Sequence, residues 1–204
     1  MKKISLIAVL TLIVVLVASC GGKAVTSSYA DALEVMNTIW SNVGDADKFP
    51  VGGGDSANLN MEGPGKFDHA NKDELDVTLA LPAALAEKID DAASMVHMMN
   101  ANQLTAAAYR LVEGADAAAF AKDYKANLDS RQWMCGFPEK FVVVGSGNYV
   151  VTAFGNAQNI DNFKAAALKL ENATVLLEGA IEGYCCFQAF RFCITFCPAF
   201  CFYI

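Results

Sequence analysis

The run FVVVGSGNYVVTAF, Phe141 to Phe154, reads as a β-hairpin. Two apolar, β-branched stretches, 141–144 and 149–154, flank Gly145-Ser146-Gly147-Asn148, whose glycines and asparagine suit a tight reversal. Upstream of it, Asp116 is placed to cap a helix with Ala117, Phe120, Ala121, Tyr124 and Leu128 as its buried stripe. Lys122, Asp123, Lys125 and Asp129 fall on the opposite side, and Gly136 and Pro138 bound the segment. Before that helix, 93–99 and 104–112 form two further strands, joined by Asn100-Ala101-Asn102-Gln103. After the quoted hairpin, a helix over 157–178 turns Ile160, Phe163, Ala167 and Leu170 inward.

Two ββα units therefore follow one another, with Phe120 and Phe163 in equivalent places 43 residues apart. The pairing reflects either a shared element order or a duplication with a pseudo-twofold sheet. Nearer the N-terminus, Ala30, Leu33, Met36, Ile39 and Trp40 recur at helical intervals over 29–43. Residues 44–74 are rich in Gly, Asp and Asn and lack periodicity, the mark of a functional loop or of hidden short elements. Asp76 to Leu81 alternates weakly, as a strand or turn. Pro82 opens a helix over 83–91 carrying Leu85 and Ile89. The expected fold is α+β: one domain over 29–182, with a mainly antiparallel sheet of four to five strands and helices packed on one face.

The ends of the chain differ from this middle. The 204 residues are 54% hydrophobic and carry a net charge of −7. Yet residues 1–19 and 184–204 hold 14 and 17 hydrophobic residues, which leaves ordinary composition between them. That distribution excludes a polytopic membrane protein, a disordered chain and a basic nucleic-acid binder. Lys2-Lys3, the apolar run from Ile4 to Val17 and the small residues before Cys20 describe an export signal over 1–19. Val17-Ala18-Ser19-Cys20 adds the spacing of a bacterial lipobox, in which the Cys20 thiol takes a diacylglycerol and cleavage precedes it. An uncleaved anchor or a plain signal peptide is the alternative. Cleavage would leave thirteen basic against twenty-two acidic residues, a net −9, so acyl chains rather than a polybasic patch would hold the protein to the membrane. Residues 20–28 read as a short tether, and the expected location is outside the cytoplasm, on the bacterial envelope.

From Tyr184 the text is YCCFQAFRFCITFCPAFCFYI, with five of the seven cysteines and one charge, Arg191. Arg191 and Pro198 argue against a membrane span. Cys193, Cys197 and Cys201 would share one face of a helix but lack zinc spacing, and a disulfide framework of thiols among phenylalanines is unusual. The abrupt change in composition favours an out-of-frame continuation after about residue 182.

The Cys20 lipobox, the first helix, Tyr109-Arg110-Leu111-Val112, Phe120-Ala121-Lys122-Asp123 and Gly147-Asn148-Tyr149-Val150-Val151 resemble a group of small, uncharacterised Firmicutes lipoproteins. The resemblance covers about residues 90–170 and implies a small domain behind a tether, with no catalytic residue or cofactor attached to it. The tail after residue 183 departs from it.

No catalytic constellation emerges, and no cofactor or metal is expected. Trp133, Met134 and Phe137 pack a helix–strand junction or line a ligand pocket. Cys135 beside Arg131 invites a thiol-enzyme reading, although a helix C-terminus opposes a thiolate. His69 and His97 lack metal-binding spacing, with His97 on an exposed strand face. Gly52-Gly53-Gly54-Asp55 is without the flanking pattern of a phosphate loop, and Asp55, Asn58, Asn60 and Glu62 depart from calcium-loop order. The expected function is a lipid-anchored, non-catalytic domain that binds an unknown protein or envelope partner. A small-molecule-binding accessory lipoprotein, its pocket formed by the 44–74 loop with Trp133 to Phe137, is the alternative.

Overall fold

A computed structural model describes residues 27–133 and 136–182. The expectations for residues 1–19, Cys20, most of the tether, Met134, Cys135 and the tail after residue 182 lie outside those residues. In chain order the elements begin with α1 (Ala32–Asn42), β1 (Val51–Gly52), β2 (Gly65–Phe67), α2 (Lys72–Leu79) and α3 (Ala83–Ala86). Then come β3 (Ile89–His97), β4 (Leu104–Leu111), α4 (Ala117–Ser130), β5 (Lys140–Ser146), β6 (Tyr149–Gly155), α5 (Ala157–Ala167) and β7 (Thr174–Ala180).

The hairpin is longer than its sequence suggests. Ser146 pairs with Tyr149, so only Gly147 and Asn148 make the turn, and Gly147 supplies the φ of +61° that it needs. Strands β5 and β6 belong to a seven-stranded antiparallel sheet in the order β1-β3-β4-β6-β5-β7, with β2 also paired to β3. The α+β class agrees with the sequence reading; the strand count does not. Two of the additional strands, β1 and β2, are short elements inside the 44–74 stretch. Another, β7, occupies part of the expected 157–178 helix. That helix ends at Ala167, the chain reverses through Asn172 at φ +53°, and Thr174 onward pairs with β5.

Two further boundaries move. Ile89 begins a strand, because α3 stops at Ala86. Residues 72–79 are helical, where the sequence suggests a loop to residue 74 and a strand or turn from Asp76 to Leu81: Asn71 accepts the Glu74 N–H, and a left-handed Ala80 closes the helix. By contrast, α4 follows its expectation closely. Asp116 accepts the Ala118 and Ala119 N–H groups, and Phe120, Ala121, Tyr124 and Leu128 are buried. Helix α1 starts at Asp31, whose carboxylate accepts the Glu34 N–H at 2.8 Å, and it buries Ala32, Val35, Met36 and Ile39. Asp91 of β3, itself buried, accepts the Ala32 N–H at 2.8 Å and ties the helix start to the sheet.

The helices cover both faces of the sheet, which corrects the one-face expectation. Val142, Val144, Tyr149, Val151 and Ala153 share a core with Ile39 of α1 and Ile160 and Phe163 of α5. Phe141, Val143, Val150 and Phe154 share the other core with Leu75 of α2, Leu85 of α3 and Phe120 and Tyr124 of α4. Strands buried on two sides read as unbroken apolar runs rather than alternating ones, and Val142-Val143-Val144 is such a run. The two ββα units are alike in order only. A local twofold between antiparallel β4 and β6 preserves the faces of the sheet, whereas α4 and α5 lie on opposite faces.

Candidate functional site

At the end of the sheet where β3 stops, the chain leaves the ladder at His97, and Met98 and Met99 run into a short helical turn, Ala101–Gln103. Facing them are Gly52 to Gly54, Leu59 and Met61, from the chain that loops between β1 and β2. Together these segments bound an open cleft of about 410 Å³, with Thr78 of α2 at its edge. Apolar side chains that reach solvent line it: Leu59 is 64% exposed, Met61 54%, Met98 44% and Met99 83%. Val77, next to Thr78, is also exposed.

The glycine wall exists because two backbones cross there. The Gly53 and Asn60 main chains exchange hydrogen bonds of 2.8 Å in both directions, and the Gly54 N–H donates to the Ser94 hydroxyl at 2.8 Å. Those amides are engaged within the protein, so the glycine run forms no anion cradle. Asp55 anchors the rest of the loop. It is 3% exposed and accepts the N–H groups of Ala57, Asn58 and Asp68 and the Asn58 side-chain amide. Asn60 donates to the Pro64 carbonyl and accepts the Glu62 N–H. These side chains fold the loop rather than converge on an ion. Among the described residues, no group of three His, Cys, Asp or Glu side chains is placed to hold a metal.

Burial pushes the Asp55 carboxyl up, but the N–H groups of Asp68, Asn58 and Ala57 and the Asn58 amide outweigh it and hold it below the usual carboxylate range. A depressed folded value stabilises the protein above the unfolded value of about 3.9 and is lost as pH falls through the folded one. Asp55→Asn is accordingly expected to cost about 1.5–3 kcal/mol at neutral pH and to flatten the loss of stability between about pH 4 and pH 2. Urea unfolding at both pH values checks this, and identical pH dependence in the two proteins would refute it.

His97 is half-buried rather than on an open strand face. Its ring stacks on Phe49 with centroids 4.5 Å apart, and Nδ1 accepts the Met99 N–H at 3.1 Å, which orients the methionine segment. His69 is exposed on the loop. Trp133 and Phe137 lie elsewhere, in the α4 core: Trp133 is 7% exposed, with its ring 5.2 Å from Phe154 and 6.5 Å from Phe137. Trp133 and Phe137 therefore do not join the 44–74 loop in this cleft. Burial also raises the Tyr109 and Tyr124 phenols well above their ordinary value, so both stay neutral. Sequence reasoning missed Leu59, Met61, Met98 and Met99. No local signal marked Met98-Met99, because consecutive apolar residues such as Val142 and Val143 are buried on the two faces of this sheet; the methionines are exposed because β3 ends at His97.

The chain enters the domain at the opposite end of the sheet. The Ser27 N–H donates to Asn148 in the β5–β6 turn at 3.3 Å, while the cleft lies beyond His97 and Leu104, one strand length or roughly 25 Å away. Among the described residues no helix is long and apolar enough to cross a membrane. The fold and cleft define an antiparallel sheet between two helical layers with an open apolar site at one end. Comparison with protein-family models, curated proteins and solved structures gave no match.

Proposed function

We propose that this protein is an exported, lipid-anchored binding module, tethered through Cys20 and engaging a protein or envelope partner at the methionine-lined cleft without catalysis. The observation that carries the binding reading is the gathering of exposed Leu59, Met61, Met98 and Met99 around one cleft, an arrangement that marks interaction sites. The anchor reading rests on Val17-Ala18-Ser19-Cys20 and on the resemblance to small Firmicutes lipoproteins. With Ser27 held at the Asn148 end, the cleft lies at the end of the sheet remote from the proposed anchor. Cys20→Ala is expected to release the protein from the membrane fraction, and wild type should carry the added mass of its acyl chains. Membrane partition of the variant with unchanged mass would contradict the anchor.

A second reading is favoured by the cleft volume, which falls within the range of small-molecule pockets. A thermal-shift screen of the full chain against metabolite classes separates the two, because a small-molecule binder gains stability from its ligand and a partner-binding surface does not.

A further inference from the structure

We infer that the occupant of the cleft is a basic amphipathic segment of a partner protein, its apolar side chains seated among the methionines and its Lys or Arg residues facing the rim. This deepens the binding reading above and is independent of the lipid anchor. Among the described residues no Asp, Glu, Lys or Arg lines the cleft, and Leu59, Met61, Val96, Met98 and Met99 give it an apolar surface that suits apolar groups. Thioether side chains are flexible and polarizable, and they repack around differently shaped apolar partners.

The sign of the partner's charge follows from the loop that builds the glycine wall. Residues 44–74 carry seven acidic residues against three lysines. Each lysine is already paired: Lys48 with Asp45 at 2.8 Å, Lys66 with Asp91 at 3.7 Å and Lys72 with Glu87 at 3.0 Å. Asp47, Glu62, Asp68 and Asp73 make no ion pair among the described residues. Glu62 follows the lining Met61, and Asp47 lies two residues before Phe49, whose ring stacks on His97 of the cleft. The apolar lining is thus carried by a loop of net negative charge, with Glu62 adjoining the lining Met61, on a chain of net charge −7.

That charge disfavours two other occupants. A second copy bound through this face would set acidic rims against each other, which costs affinity. An anionic bilayer surface is repelled for the same reason. A basic amphipathic segment satisfies both features at once.

The test uses the full chain in phosphatidylcholine nanodiscs, with empty discs as the blank. The probes are two benzophenone-bearing amphipathic peptides about 14 residues long, one Leu/Lys and one Leu/Glu. The expected result is photo-adducts of the Leu/Lys peptide on Met61, Met98 or Met99 and binding at least about tenfold tighter than the Leu/Glu peptide. Met61→Asn/Met98→Asn, at exposed positions, should weaken that binding about tenfold, and Asp47→Asn/Glu62→Gln should flatten its salt dependence. Equal binding of both peptides, lost in the methionine variant, overturns the basic partner but leaves the cleft a binding site. Binding of neither peptide overturns both the inference and the protein-partner reading.

Discussion

Gly53→Ala is expected to destabilise the protein by about 3 kcal/mol or more, and to dismantle one wall of the cleft. A Cβ at this position would lie 2.2 Å from the Ser94 carbonyl oxygen, 2.4 Å from the Gly65 nitrogen and 2.9 Å from the Pro64 carbonyl carbon. All three are backbone atoms, so no rotamer change relieves the clash and the β1–β2 crossing must separate. Gly65 faces the same constraint from the other side, with Gly53 backbone atoms from 2.4 Å. Gly114→Ala is the control. It has φ +82° but nothing within 4 Å, so it carries conformational strain alone, about 1–2 kcal/mol. Urea unfolding of the variants measures both, and a Gly53→Ala cost no greater than that of Gly114→Ala would show that the crossing is not tight.

Phe120→Ala and Phe163→Ala are each expected to cost about 3–5 kcal/mol, since both rings are at most 2% exposed and leave large cavities. The more telling result is their independence. Phe120 packs against Tyr109 and Tyr124 on one face, and Phe163 lies with Ile39, Val142 and Val151 on the other. A cycle with the milder Phe120→Leu and Phe163→Leu keeps the double variant folded and should close to within about 0.5 kcal/mol. A coupling above about 1 kcal/mol would mean that the two rings share a core, as helices on a single face would require.

How far the fold was legible depends on the range of the interactions that decide each element. The hairpin around Gly147 and the helix after Asp116 rest on contacts within a few residues: a glycine accepting positive φ, and a carboxylate bonding amides two and three positions on. Local pattern carries such information. The failures share the opposite property. Thr174 to Ala180 extends the apolar spacing of the preceding helix, and it becomes a strand because β5 offers an unpaired edge tens of residues upstream. Ile89 likewise continues the spacing of Leu85 but joins a strand paired to Leu111.

The cleft was the least legible part. Residues 44–74 announce an unusual loop through composition alone, and they do contain the glycine wall and the Asp55 anchor. Nothing local says that Gly53 meets Gly65, that Asp55 turns inward onto the Asp68 N–H, or that Met98 arrives opposite Met61. Those meetings require the sheet first.

By itself, the sequence determined the α+β class, the central hairpin, the capped helix at 117–130 and the acidity of the domain, because turn chemistry, capping and charge are properties of neighbouring residues. The proposed export signal and the proposed lipobox at Cys20 are readings of sequence alone. Only the tertiary structure decided that helices cover both faces, that the sheet has seven strands, and that a methionine-lined cleft opens at the end remote from Ser27. The physical reason is that strand order and burial are settled by contacts between segments tens of residues apart, which no local pattern contains.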